Sequence, residues 1–496
     1  MNTFSEPGVS TSTDTCSFVD ISAMITQQAM KDEVQTMSPA QGQTTPFAPG
    51  TRRARRGIDK FDVVVIVLLL ATFFGVAMLP FAPKKLGDFV FHREAKALAL
   101  AVRGAAPWSE VHISRAPVPV LYYAIPYTAV SPGSDDDAYW RAAFIWTVLW
   151  MCVSIVLIRR AGDFLGGPTV GKTAALFTLL SPFSVYYSYG ILAEPPAYIG
   201  VVLFTYAYLK WRSSERELSQ SRGDIFLLAL GLSIFVLSRP NSVLLLLLAV
   251  LIGGIRVWRG RDRQKLEGRF ILAAVLATGV VIGAVTLSLV RRSGGVGNNS
   301  QNDNFALVAL QGRFQFRTEF WDFNTWPDVP NNPDFIEFNR KLEEFQQTSL
   351  QTGIPEPTLR WRWIVQDFLH HPGITVRAAA VKMLALHFAF VHSVEPENFH
   401  FAFLRGVWGY ALFHIAVNAF TIVLLIGSVL FVVSHWHTLL DYWVLWGPWL
   451  ALTLFHVMTY AEARYLFPSR PGLVLMASAA LVPRAQAMFS RRTTAV

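Results

Sequence analysis

Long apolar runs separated by short polar connections make up most of the chain between residues 61 and 485. A helix needs about 20 apolar residues to cross a membrane, and its backbone groups must be hydrogen-bonded within the helix. We therefore predict an all-α integral membrane protein with about ten transmembrane helices. The runs lie at 61–80, 139–158, 169–188, 191–209, 224–238, 241–256, 270–290, 407–434, 440–460 and 470–485.

Basic residues gather at the ends of these runs and fall on alternate connections. A patch of four arginines at 52–56, with Lys60, directly precedes the first run. Cytoplasmic connections of membrane proteins carry an excess of Lys and Arg, so both termini are predicted to be cytoplasmic. The other clusters lie at 159–160, 210–216, 256–265 and 491–492.

The polar segments divide the chain into four parts. Residues 1–60, rich in Ser, Thr, Gln and Pro, are predicted to be a disordered cytoplasmic tail. A transmembrane module at 61–290, with its first outer loop at 83–138, precedes a non-cytoplasmic loop region at 291–406, after helix 7. Residues 407–496 hold the last helices and a short cytoplasmic tail.

The outer region contains an amphipathic segment at 372–390, which Arg377 and Lys382 interrupt. A helix of this kind is typical of a membrane surface, so we predict that it does not cross the membrane. If it did, every later segment would change sides.

Composition excludes several classes of protein. Hydrophobic residues make up 52% of the chain and charged residues 16%, below the roughly 25% charged of soluble domains. The net charge of +9 comes from residues at helix ends, which indicates topology rather than nucleic-acid binding. Cys16 and Cys152 are too few and too far apart for a disulfide framework or a CxxC metal site.

Four polar clusters lie at the predicted outer ends of the helices. Ionisable groups near hydrocarbon are costly and tend to be functional. The clusters are Asp88 to Glu94 with the Pro-rich stretch after Arg115, the Glu194-Pro195-Pro196 tip, the Arg239-Pro240-Asn241 tip, and Glu462 to Pro468 with Arg464-Tyr465.

In this order the motifs resemble the GT-C superfamily of polytopic glycosyltransferases, especially the bacterial branch related to protein mannosyltransferases and the lipid A aminoarabinose transferase. The shared features are an acidic first outer loop, Ser181-Pro182 followed by Glu194-Pro195, the Arg-Pro-Asn tip and the late Arg-Tyr. Members commonly carry adjacent Asp-Glu in the first loop, whereas this chain has Arg93-Glu94 with Asp88 upstream. Whether Asp88 or Glu94 is the base therefore stays open.

The resemblance implies a GT-C-type bundle that transfers a sugar, with inversion, from a polyprenyl-phosphate donor to a lipid, glycan or protein acceptor. The expected place is the outer leaflet side of a bacterial inner membrane, with membrane lipids as further partners and no nucleic acid. Asp88 or Glu94 would take the acceptor's proton. Asp88 is favoured because Arg93 and Lys96 are expected to neutralise Glu94.

The other roles follow the chemistry of the donor. Arginine binds phosphate oxygens through a planar fork, so Arg464, Arg239 and Arg115 are predicted to hold the donor phosphate. Glu194, Tyr465 and Asn241 are predicted to shape the site. No cofactor is expected and a divalent cation is left open, since histidines such as His370-His371, His435 and His437 lack a carboxylate-rich ligand set for a metal site.

Two alternative functions stay open. A transporter also suits ten helices with ionisable residues, but such folds usually show internal repeats, and the large outer loop after helix 7 has no earlier counterpart. An endoplasmic reticulum mannosyltransferase of the glycolipid-anchor pathway is compatible with the sequon Asn298-Asn299-Ser300.

Overall fold

The computed structural model describes residues 59–78, 86–87, 89–113, 116–181, 190–214, 217–292, 298–317, 333–388, 407–461 and 463–493. Within these ranges the chain is helical apart from one pair of two-residue strands, which confirms the predicted all-α class. The predicted tail at 1–60 lies outside them, except for Asp59 and Lys60.

The first half of the chain contains the loop region at 83–138, which we call the first outer loop after its predicted side, and the early helices. Its elements are α1 Lys60–Met78, β1 Leu86–Gly87, α2 Phe89–Val102, α3 Pro117–Tyr127, α4 Asp136–Gly166, α5 Pro168–Leu180, β2 Gly190–Ile191, α6 Glu194–Arg212, α7 Arg222–Ser238, α8 Val243–Arg259 and α9 Asp262–Arg292.

The second half contains the outer region and the last helices. Its elements are α10 Asn298–Phe314, α11 Pro333–Thr352, α12 Glu356–His370, α13 Pro372–His387, α14 Val407–Ser434, α15 Trp443–Met458 and α16 Arg470–Thr493. Short 3₁₀ turns at Pro240–Ser242, Trp436–Tyr442 and Ala463–Ser469 connect α7 to α8, α14 to α15 and α15 to α16.

Every predicted apolar run contains a helix, but the number of spans is not confirmed as ten. Six helical segments among the described residues are long and apolar enough to cross a membrane by length and composition. They are Asp136–Gly166, Leu218–Ser238, Pro240–Arg259, Asp262–Ser288, His414–Ser434 and Arg464–Ala487. The runs at 169–188 and 440–460 are represented by the shorter α5 and α15, because Ser181 ends α5 and Thr459 ends α15.

Close helix packing places the tips of α6 and α7 side by side. Gly200 and Gly231 face each other, and a Cβ on Gly200 would lie 2.8 Å from the Gly231 carbonyl oxygen. Small residues let membrane helices approach closely, so only glycine fits here. Although the Arg239-Pro240-Asn241 tip is short, α8 packs mainly on α9 and α15 rather than on α7.

The opposite end of the bundle is marked by a partly buried ionic network. Asp441, in the turn between α14 and α15, accepts from Arg212 at 2.7 Å and pairs with Arg256. Glu267 at the start of α9 pairs with the same two arginines. The 436–442 turn therefore lies at the end of the bundle that holds Arg212 and Arg256.

The amphipathic segment forms α13 at Pro372–His387. α13 has 16 residues, and Lys382 donates to the Thr459 carbonyl near the tips that hold Glu194 and Arg239. Both observations support a helix that stays at that end.

The helices of the outer region share a core of aromatic and charged residues. Phe314 stacks on Trp363 with a centroid separation of 5.2 Å. Asp367 is buried and accepts from Arg317 at 2.8 and 2.9 Å and from Arg313 Nε at 2.9 Å. Burial raises the pKa of the Asp367 carboxyl, but hydrogen bonds from Arg317 and Arg313 outweigh it and hold the pKa at about 2.

Replacing Asp367 with asparagine is expected to lower the free energy of unfolding of the outer region by roughly 2 kcal/mol at pH 7. A carboxyl whose pKa falls on folding stabilises above its unfolded pKa of 3.8 and stops doing so as pH drops to about 2. The difference in free energy of unfolding between wild type and Asp367→Asn should thus become smaller below about pH 4. Chemical unfolding at several pH values measures this difference. Glu343→Gln, at an exposed glutamate of α11, is the control. If the difference in free energy of unfolding stayed constant down to pH 3, the ion pair would not be its cause.

Candidate active site

A buried ion pair joins the tips of α6 and α7. Glu194 is the first residue of α6, where Pro195 and Pro196 fit because the first helical turn needs no backbone donors. Arg239 ends α7 in an extended conformation, as expected for a residue before proline. Arg239 Nη2 donates to Glu194 Oε1, and both side chains are under a tenth exposed.

Arg464 approaches the same carboxylate from the 463–469 turn. Its Nε lies 3.9 Å from Glu194 Oε1, and its Nη2 lies 3.4 Å from the Tyr465 hydroxyl. The guanidinium carbons of Arg239 and Arg464 sit 4.7 and 5.2 Å from the centroid of the Tyr465 ring, which adds cation–π attraction. Arg464 is 31% exposed and Arg239 only 9%, so Arg464 is the arginine that an approaching ligand meets.

His456 and Asn241 complete the cluster. His456 Nδ1 lies 2.9 Å from the Tyr460 carbonyl oxygen and must donate to it, while Nε2 lies 2.8 Å from the Asn241 amide nitrogen and accepts. This pattern is that of a neutral imidazole. The ring also stacks on Tyr465 at 4.3 Å. We call Glu194, Arg239, Asn241, His456, Arg464 and Tyr465 the arginine clamp.

The arginine clamp carries one net positive charge, because two guanidinium groups face one carboxylate and the histidine is neutral. It joins residues from three of the four polar clusters found in the sequence. His456 was missed there, although an ionisable residue inside a predicted span is itself a functional signal.

The first outer loop reaches the arginine clamp through its backbone. β1 pairs in parallel with β2, and Gly87 is opposite Ile191, three residues before Glu194. Tyr123 of α3 fixes β2, since its hydroxyl lies 3.1 Å from the Gly190 carbonyl oxygen and 2.9 Å from that of Leu192, the two acceptors for its proton, and accepts from the Leu192 amide at 3.0 Å. The loop segment that leads to Asp88 is thus held beside the strand that leads to Glu194.

Asp88, Arg115 and Glu462 lie outside the described part of the chain, as does Pro182 of the Ser181-Pro182 motif. The second candidate base, Glu94, is buried in α2. Lys96, expected to neutralise it, instead contacts Asp136 of α4 at 2.7 Å, and Arg93 is exposed. The prediction that Lys96 neutralises Glu94 was therefore wrong, because α2 turns this lysine toward Asp136 of α4.

His92, also on α2, is enclosed by aromatic rings. Its Nδ1 lies 2.9 Å from the Tyr127 hydroxyl and its ring stacks on Trp140 at 5.5 Å. These contacts tie α2 to α3 and α4. Among the described residues no group of three His, Cys, Asp or Glu side chains could hold a metal ion.

No family model and no curated protein matches the sequence. Among solved structures, the chain is similar to the archaeal oligosaccharyltransferase AglB from Archaeoglobus fulgidus in complex with an inhibitory peptide and a dolichol-phosphate. The identity is 11%, the TM-score 0.46, and the match covers 88% of this chain and 51% of that one. The chain thus spans about half the length of that protein.

The chain is also similar to ArnT from Cupriavidus metallidurans bound to undecaprenyl phosphate. Here the identity is 13%, the TM-score 0.36, and the match covers 85% of this chain and 77% of that one.

Proposed function

We propose that this protein is a membrane glycosyltransferase that moves a sugar from a polyprenyl-phosphate donor to a lipid, glycan or protein acceptor, with inversion. The observation that carries the proposal is the arginine clamp. Two arginines from different helix ends converge on one buried carboxylate and one tyrosine ring. The proposed place is the outer leaflet side of a bacterial inner membrane.

The charge of the arginine clamp suits a lipid phosphodiester. Such a donor carries one negative charge, and the clamp carries one net positive charge. When the glycosidic bond breaks, charge grows on the departing phosphate, so a fixed cation stabilises the transition state more than the ground state. Arg464, the more exposed arginine, would meet the phosphate, and Glu194 and Arg239 would fix the position of its guanidinium.

The acceptor hydroxyl needs a base within hydrogen-bond reach. Asp88 is our candidate, because Gly87 just before it is paired with the strand that leads to Glu194. A carboxylate at that position would take the proton as the hydroxyl attacks the anomeric carbon. Glu94 is the alternative base, although its burial makes direct access to a substrate harder.

Transfer of a radiolabelled sugar from a panel of polyprenyl-phosphate sugars to lipid extract tests the proposal. Purified protein in lipid vesicles should transfer label from at least one donor. Parallel reactions with a chelator or added Mg²⁺ would decide metal dependence. Failure of every donor, combined with uptake of a solute into the vesicles, would favour a transporter instead.

Arg464→Ala should weaken binding of undecaprenyl phosphate by about 10- to 100-fold, because a hydrogen bond to a charged group contributes about 1.5–3 kcal/mol. Arg464→Lys keeps the charge without the planar fork and should recover only part of the loss. Titration calorimetry in nanodiscs measures both. Arg362→Ala, at an exposed arginine of α12, is the matched control and should bind like wild type. Equal affinity of Arg464→Ala and wild type would remove the phosphate role.

A further inference from the structure

A buried lysine links the outer region to the turn that carries Arg464. Lys382 of α13 is 3% exposed, and its Nζ donates to the Gly312 carbonyl at 2.5 Å and to the Thr459 carbonyl at 2.6 Å. Gly312 is in the last turn of α10, and Thr459 directly follows α15. One ammonium group therefore bridges the carbonyl ends of two helices, where the helix dipoles favour a positive charge.

The two helix ends are also pressed together. A Cβ on Gly312 would lie 2.3 Å from the carbonyl carbon of Thr459, so only glycine permits this approach. Next along the chain, Gln315 pairs with Ala461 in both directions. Its Nε2 donates to the Ala461 carbonyl at 2.9 Å and its Oε1 accepts from the Ala461 amide at 2.8 Å. The backbone at 459–461 is thus held at three points.

The turn after α10 shows how firmly this contact is built. Phe316 has a φ of 61°, a left-handed conformation that is uncommon for a bulky residue. Strain of this kind persists only where the surroundings impose it. The surroundings here are Gln315 on one side, Arg317 bonded to Asp367 on the other, and the Phe316 ring packed on Val381 and Ala385 of α13.

The held backbone leads directly to the arginine clamp. Ala461 is three residues before Arg464, and α13 packs on the 463–469 turn itself. On the N-terminal side, the held backbone at 459–461 begins three residues after His456, whose ring stacks on Tyr465. Burial and the nearby charge of Arg313 lower the pKa of Lys382 to about 7, so the lysine is kept at an energetic cost.

We propose that Lys382 and Gln315 are positioning residues: they lock the outer region onto the 459–461 backbone and thereby set where Arg464 stands in the arginine clamp. The inference rests on the proposed function, since it concerns phosphate binding by Arg464. If Lys382 only stabilised the fold, its loss would also lower stability. Any effect of that loss on phosphate affinity would then be the same with or without Arg464.

A double-mutant cycle separates the two readings, with undecaprenyl phosphate binding in nanodiscs as the probe. Lys382→Met, which keeps the length and removes the ammonium, should weaken binding at least fivefold in protein that remains folded. Combined with Arg464→Ala, it should cause less than a twofold further loss, because the residue it positions is already gone. Arg340→Gln, at a 59% exposed arginine of α11, is the control and should leave binding unchanged.

Gln315→Met gives a second route to the same answer, because it removes both hydrogen bonds to Ala461, keeps the length of the side chain and adds no charge. If Lys382→Met fails to fold, the cycle with Gln315→Met decides. The inference would be overturned if the fold-losses of affinity multiplied in the double variant with Arg464→Ala. It would also be overturned if neither single variant lost affinity. If Arg464→Ala itself binds like wild type, the phosphate role fails instead, which is a separate result.

Discussion

Replacement of Asp88 by asparagine is expected to lower the rate of sugar transfer by about 10²- to 10⁴-fold, the range typical of losing a general base. The amide keeps the shape of the side chain and loses only its capacity to accept a proton. Donor binding should change little, because the proposed phosphate contacts come from Arg464. Single-turnover transfer measured beside the binding affinity would show this separation.

Two further variants make that experiment decisive. Asp137→Asn, at an exposed acid in the first turn of α4, is the matched control in the same outer loop. Glu94→Gln tests the alternative base. Should Asp88→Asn keep more than about a tenth of the activity, outside the range for a base, Glu94 takes over the role. If both keep it, the glycosyltransferase proposal is wrong.

Glu194→Gln is expected to lower the free energy of unfolding by about 3–5 kcal/mol, because it leaves Arg239 buried without its carboxylate. The Glu194 side chain is 3% exposed and that of Arg239 is 9%, so water cannot replace the lost partner. Transfer activity should also fall, since the position of Arg464 depends on the same carboxylate. Chemical unfolding in detergent, followed by tryptophan fluorescence, measures the loss.

The pairing itself is tested by a second substitution. The double variant Glu194→Gln with Arg239→Met should be more stable than Glu194→Gln alone, because it removes the orphaned charge. Glu217→Gln, at an exposed glutamate before α7, is the control and should unfold like wild type. A Glu194→Gln protein within about 0.5 kcal/mol of wild type, the range of ordinary surface changes, would show that the pair is not a buried ion pair.

Local sequence pattern was enough to identify the helices and the residues at their tips. Apolar runs of spanning length require helices, and ionisable residues at the ends of such runs are costly enough to need a reason. This is why Glu194, Arg239, Asn241, Arg464 and Tyr465 could be selected without a structure. The same logic could have selected His456, which lies inside the run at 440–460.

The sequence was less informative about charged residues that are buried by tertiary contacts. Lys382 was interpreted as an interruption of an amphipathic surface, whereas its ammonium lies between two helix ends. Lys96 was assigned to Glu94 from proximity along the chain, whereas it contacts Asp136, 40 residues away. A periodic pattern shows which face of a helix is polar, but not what that face meets.

The sequence by itself determined the membrane class, the helices and most residues of the arginine clamp, because these depend on composition and spacing within about 20 residues. Only the tertiary structure decided that Arg239 and Arg464, far apart along the chain, share Glu194 and the ring of Tyr465. It also decided that β1 pairs with β2 and that Gln315 holds Ala461. Such pairings depend on how helices of similar apolar character pack, through close contacts such as that of Gly200 with Gly231, and no local periodicity encodes which helix ends will meet.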